Sequence, residues 1–270
     1  MAREYILECW DGTVWEFNDP ACPISLMTEP TGIEGAQFTF DTQQNVNQAG
    51  DTVKARNDDP NFIGLDAKVG PVAKGDAAAE LLRLWRHSLG RGLQLGTFHT
   101  ISDEGGDRFQ KVRLATKLDP PNYYQMRHSG VLLHDKCSLR SDETWWRKYP
   151  VVETYTGTDI FAADFDTESD EPVWPHLVIT GPITNAAVGW EGQIITLGTI
   201  PAGHVWTINS DPDYWEITSS VTGDRGWVGD RWRKRIPAGT FTDRIDVTGS
   251  GTTSATSLVV TVPQLFWEGI

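Results

Sequence analysis

Asp164, Asp166 and Glu168 sit at the alternate positions from which a calcium loop draws its first ligands. Ser169 stands where the sharp turn of such a loop needs Gly, and Pro175 where its closing bidentate Glu belongs, so a solvated acidic linker over 164–171 is the simpler expectation. Gly70-Pro-Val-Ala-Lys-Gly75 begins with phosphate-loop spacing, but Asp76 and Ala77 follow in place of Lys and Ser or Thr. That exchange removes both the ammonium and the magnesium-binding hydroxyl. His87, His99, His128, His134, His176 and His204 form no H-x-H or H-E-x-x-H pattern, and no G-x-S-x-G nucleophile turn occurs. A carboxylate pair for sugar hydrolysis would come from distant strands, and none of the 37 acidic residues stands out as half of one. No catalytic residue, metal ligand or cofactor is expected, and the chain reads as a non-enzyme.

Aromatic and basic residues carry more. Seven of the twelve tryptophans lie beyond residue 150, and the segment holding Arg225, Trp227, Arg231, Trp232 and Arg233 is the candidate contact cluster. Trp227 and Trp232 lie in a Gly/Arg-rich run and are expected to be exposed; Trp206 and Trp267 lie in strand-like runs and are expected to be packed. Trp and Arg are enriched at interface hot spots, which favours contact with another protein subunit. The alternative is a host glycan stacked on exposed indole faces, as in a carbohydrate-binding adhesin.

The charge distribution leans the same way. The net charge is −14, from 23 basic and 37 acidic residues, and it disfavours adhesion to nucleic acid or to an anionic membrane. No Lys or Arg occurs between Lys148 and Arg225, an interval that contains acids from Glu153 to Asp224; Arg225, Arg231, Arg233, Lys234 and Arg235 follow. Segregated surface charge is the plain account. Opposite poles meeting neighbouring copies in a head-to-tail assembly is the functional one.

Elements to hold such a surface can be read from pattern. A length of 270 residues suggests about two domains, and 39% apolar with 22% charged residues is ordinary globular composition. No apolar window is long enough to span a bilayer and no signal-peptide core is present, so a soluble protein of the cytosol is expected. Cys9, Cys22 and Cys137, odd in number and irregularly spaced, argue against a disulfide framework or a zinc site. Asp11-Gly12 between β-rich runs predicts a two-residue hairpin over residues 5–17. Residues 41–75 are polar and read mostly as loop, with weak strands at 37–42 and 62–69. Asp76 to Leu89 reads as a helix capped by Asp76, its stripe Leu81, Leu82, Trp85 and Leu89 lying on a sheet. Strands at 93–100, 109–117 and 131–140 continue that sheet. A domain boundary is placed near residue 150. Beyond it, Ile-Pro-Ala-Gly at 200–203 and 236–239 marks two turns of an antiparallel sandwich.

In this order, the pieces resemble the distal tail protein, or minor tail protein, of long-tailed bacteriophages (siphoviruses), in the form found in phages of actinobacteria. The hairpin, the polar arm, the helix Ala77 to His87 and Ser141-Asp-Glu-Thr-Trp-Trp146 resemble that family's tail-tube-like first domain. Leu177-Val-Ile-Thr-Gly-Pro-Ile-Thr-Asn185, the two Pro-Ala-Gly turns and Trp267-Glu-Gly-Ile270 resemble its galectin-like second domain. The resemblance implies a mainly β chain: a tail-tube-like β-sandwich with one flanking helix over 1–150 and a galectin-like antiparallel β-sandwich over 151–270. It also implies a six-fold ring between the tail tube protein and the tip or baseplate hub, near the tape measure protein, at the distal end of the virion tail. DNA would only pass through the lumen, past an anionic wall that does not hold it, after assembly in the host cytoplasm.

Overall fold

The computed structural model describes residues 3–221, 223–224 and 231–270. The chain is mainly β and antiparallel, and it divides into two units: Met1–Arg147 with Trp267–Ile270, and Lys148–Phe266. Residues 267–270, read from sequence as the end of the second domain, group with the first unit.

In the first unit, β1 (Glu4–Glu8) and β2 (Val14–Glu16) form the opening hairpin. Its loop has three residues, Trp10 to Gly12, and not the two that Asp-Gly suggested. The type I′ turn needs two residues of positive φ; here Gly12 alone has one (84°), and its N–H bonds to the Cys9 carbonyl. Next come β3 (Ile24–Leu26), β4 (Phe38–Gln43), β5 (Thr52–Asp58) and β6 (Asn61–Val69). The strand β5 falls where loop was expected. It pairs only with β4 among the described residues, and every residue of both is exposed, so the alternation of Val53 and Ala55 with Lys54 and Arg56 marks no buried face. In contrast β6, paired with β3 on one side, alternates buried Ile63, Leu65, Ala67 and Val69 with more exposed residues.

The helix α1 (Asp76–Ser88) buries Ala78, Leu82, Trp85 and Ser88. Asp76 does not cap it. Gly75 holds the cap position, and the Asp76 carboxylate pairs instead with Arg127. Then follow β7 (Gly96–Ser102), β8 (Gly106–Leu114), α2 (Tyr123–Ser129), β9 (Leu132–Ser141) and β10 (Trp146–Thr156), whose first two residues belong to this unit. The sheet order is β2-β1-β7-β8-β9-β6-β3. In β9 the side-chain phase differs from simple alternation: His134 takes φ 59°, so Leu133 turns outward and Asp135 inward. Asp135 is satisfied there by the indole N–H of Trp85 (3.0 Å) and by the guanidinium of Arg86.

The second unit is a sandwich of two sheets. Its strands are β11 (Ala163–Ser169), β12 (His176–Thr180), β13 (Ile183–Trp190), β14 (Gln193–Ile200), β15 (Val205–Asn209), β16 (Glu216–Ser219), β17 (Gly223–Asp224), β18 (Gly239–Ser250) and β19 (Ser257–Phe266). One sheet runs β11-β18-β13-β14; the other runs β17-β16-β15-β12-β19 and ends on β10. Their inner faces share one apolar core, with Phe165, Val188, Ile195 and Ile245 from the first and Leu177, Ile179, Ile208, Leu258, Val260 and Val262 from the second.

The acidic segment expected as a linker is strand β11. Its inward positions Ala163, Phe165, Thr167 and Ser169 are buried and only the carboxylates face out. Asp164 forms an ion pair with Arg244 (2.5 Å), Asp166 accepts from Thr242 (2.7 Å) and Glu168 pairs with Lys148 (2.7 Å). The first Ile-Pro-Ala-Gly is the corner between β14 and β15, closed by the His204 N–H on the Pro201 carbonyl (3.1 Å). In the second, Ile236 bridges to Val173 and Gly239 opens β18. The motif Thr-Gly-Pro-x-x-Asn has a steric cause: a Cβ on Gly181 would lie 2.2 Å from the Pro201 carbonyl oxygen, and Asn185 takes φ 52°.

Candidate subunit-contact site

The basic segment runs outward from a row of stacked indoles. Along 231–236 the exposed residues are Arg231, Arg233, Lys234 and Arg235, while Trp232 and Ile236 point inward. Trp232 is 2% exposed, against the expectation that it is an exposed platform. Its ring lies parallel to Trp190 at 5.3 Å and beside Trp215 at 5.9 Å. An indole so enclosed needs a partner for its N–H, and Trp232 donates to the Val188 carbonyl (3.1 Å). Trp190 donates in turn to the Lys234 carbonyl (2.8 Å).

Polar ties hold the same segment to the turn between β13 and β14. Gln193 donates through Nε2 to the Arg231 carbonyl (2.8 Å) and accepts through Oε1 from the Arg233 N–H (2.7 Å). Lys234 Nζ donates to the Glu191 carbonyl (2.6 Å). The Arg231 guanidinium lies 5.2 Å from the Trp215 ring and that of Arg235 lies 5.9 Å from Trp174, both in cation–π range. Tryptophan is therefore the anchor of this site and the guanidinium row its outward face.

Of the five residues singled out by sequence, Arg231, Trp232 and Arg233 are contiguous here, with Trp232 pointing away from the other two. Arg225 and Trp227 lie outside the described residues. Trp206 is 7% exposed and packed in the core, whereas Trp267 is 52% exposed. Trp190, Trp215 and Gln193 were missed. No local signal marked the burial, since Arg233, Lys234 and Arg235 are exposed in succession and the ring partners Trp190 and Trp215 are remote in sequence.

Among the described residues no group of three or more His, Cys, Asp or Glu could hold a metal ion, and no helix is long and apolar enough to cross a membrane. Burial pushes the Cys9 thiol up to about 11 and the Cys137 thiol up to about 12, the opposite of nucleophile activation.

Comparison of the whole chain with solved structures gives a full-length match. It superposes on SPP1 Dit, described as a paradigm of the hub adsorption apparatus in phages that infect Gram-positive bacteria, with a TM-score of 0.69 at 8% identity, over 98% of this chain and 100% of that one. The chain has the Dit fold. Chains in the activated phage P2 baseplate, with calcium or with strontium, match it at TM-scores of 0.55 and 0.53, each at 13% identity over 98% of both chains. No family model matches the sequence, and no curated protein matches it.

Proposed function

We propose that this chain is the distal tail protein of a long-tailed bacteriophage, a structural ring of six copies joining the tail tube to the tip or baseplate hub around the DNA channel. One observation carries most of the weight. The likeness to Dit covers 98% of the chain and therefore both units, and so is not the likeness of a lone sandwich, a fold with many uses. The partners are neighbouring copies, the tail tube protein, the tip hub protein and the tape measure protein. The role is architectural, and the guanidinium row of Arg231 and Arg233 is the candidate contact with the next copy. The glycan alternative loses one of its two platforms, because Trp232 is sealed between Trp190 and Trp215.

Negative-stain images and mass photometry of the purified chain, together with antibody labelling of virions, test the assignment. Closed rings with a central hole and label at the distal end of the tail are expected, with a reduced ring fraction for Arg233→Glu. A chain that stays monomeric at every concentration and labels no part of a virion overturns it. Rings of full yield from Arg233→Glu remove the guanidinium row from the contact.

A further inference from the structure

A groove of about 710 Å³ opens in the first unit between the turn after α1, the end of β8 with the loop beyond it, and the end of β9. Its composition runs against that of the chain. Where acids outnumber bases 37 to 23 overall, the groove is lined by Arg91, Arg113, Lys117 and Arg140 with Asp142 as its one acid. That carboxylate is divided between two guanidiniums, at 2.6 Å from Arg113 Nη2 and 3.0 Å from Arg140 Nε, so the wall keeps a surplus of positive charge. Arg113 Nε is buried and has no hydrogen-bond partner among the described residues. The Arg113 side chain as a whole is 27% exposed and that of Arg140 45%, so both remain reachable by an incoming carboxylate. Beside the cations stands Leu93, 83% exposed. The turn that carries Leu93 is held close to β8: Gly92 has φ 88°, and a Cβ there would come within 3.1 Å of the Leu114 carbonyl oxygen.

We propose that this groove docks a short acidic peptide segment of a partner protein, its carboxylates on Arg91, Arg113, Lys117 and Arg140 and an apolar side chain on Leu93. Charge complementarity selects an anion, since several guanidiniums share too few acids. Leu93 selects peptide over nucleic acid, because a phosphate backbone has no apolar side chain to place there. The inference rests on the first unit alone and holds whether or not the chain closes into rings.

Fluorescence anisotropy tests it, with a labelled peptide of about 12 residues alternating Glu pairs with Leu, long enough to lie along a groove of this kind. A Lys/Leu peptide and an oligothymidylate of equal length serve as comparators, and the proteins are the full chain and its variants. Arg91 and Lys117 are exposed, so Arg91→Glu with Lys117→Glu leaves the fold in place, which an unchanged melting temperature verifies. The acidic peptide is expected to bind, with affinity falling as salt rises, to lose roughly tenfold or more in the double variant and about threefold in Leu93→Ser. The Lys/Leu peptide should not bind. Absence of acidic-peptide binding to the unaltered chain overturns the proposal, as does equal affinity in the double variant. Tighter, groove-dependent binding of the oligothymidylate overturns it in favour of nucleic acid.

Discussion

Trp85 and Trp232 solve one problem in two ways. Both are large indoles sealed in the interior, at 0% and 2% exposure, and both must place an N–H where no water can take it. In the first unit, Trp85 gives its proton to the Asp135 carboxylate, which also receives Arg86 and so ties α1 to β9. In the second, Trp232 gives its proton to the Val188 backbone carbonyl and takes the rest of its hold from ring contact with Trp190 and Trp215. The ionic arrangement fails all at once when one partner is removed, because a buried charge is left over. The aromatic one fails by degrees, because area and a backbone acceptor survive partial truncation.

The largest expected effect follows from breaking the first arrangement. Asp135→Ala removes the acceptor of the Trp85 N–H and of Arg86 Nε and Nη2, leaving Arg86 only the Asp119 carbonyl, and should cost the first unit about 3–5 kcal/mol. Native-state hydrogen exchange reads this as lost protection in β6 and β9, with the sandwich strands unchanged; a loss under 1 kcal/mol would show that the pair is not the tie described. Trp232→Phe keeps most of the ring and orphans one carbonyl, so roughly 1–3 kcal/mol is expected, seen as faster exchange in β13 and β14. A loss as large as that of Asp135→Ala would erase the contrast. Smallest is the effect of acid on the second unit. Burial pushes the pKa of His176 down from its ordinary 6.5, against an opposing pull from Glu216. With the folded value depressed, the unfolded chain binds the proton first; the stability is complete above the unfolded value and declines as pH falls through 6.5 towards the folded one. Exchange in β12 should accordingly quicken between neutral and mildly acidic pH, and His176→Gln should abolish that dependence. Slower exchange on acidification would contradict the sign.

How much of this was legible depended on whether a residue's neighbours in sequence were also its neighbours in space. The helix α1 was legible because its stripe is periodic, and the corner at Pro201 to His204 because Pro and Gly mark it locally. The motif around Gly181 showed in the letters, while its cause, two backbone carbonyls arriving from residues 200 and 201, did not. The strand β5 was hidden because both its faces are wet. Strand β11 was hidden because its acids dominate the composition, although Ala163, Phe165, Thr167 and Ser169 alternate correctly beneath them. In the candidate site the guanidinium row was visible, but the inward turn of Trp232 was not, since its ring partners lie more than ten positions away in the chain. The phase slip at His134, which delivers Asp135 to Arg86, rests on one residue of positive φ that is not a glycine.

Residues 267–270 return to the first unit after the whole of the second has been traversed. The Gly269 N–H bonds to the Ile33 carbonyl (2.8 Å), its carbonyl accepts from Thr100, and a Cβ on it would meet the Trp146 ring at 2.8 Å. Closure of the first unit around Trp146 thus draws on residues that lie beyond the entire second unit in the chain, so the earlier module is completed only after the later one has been made.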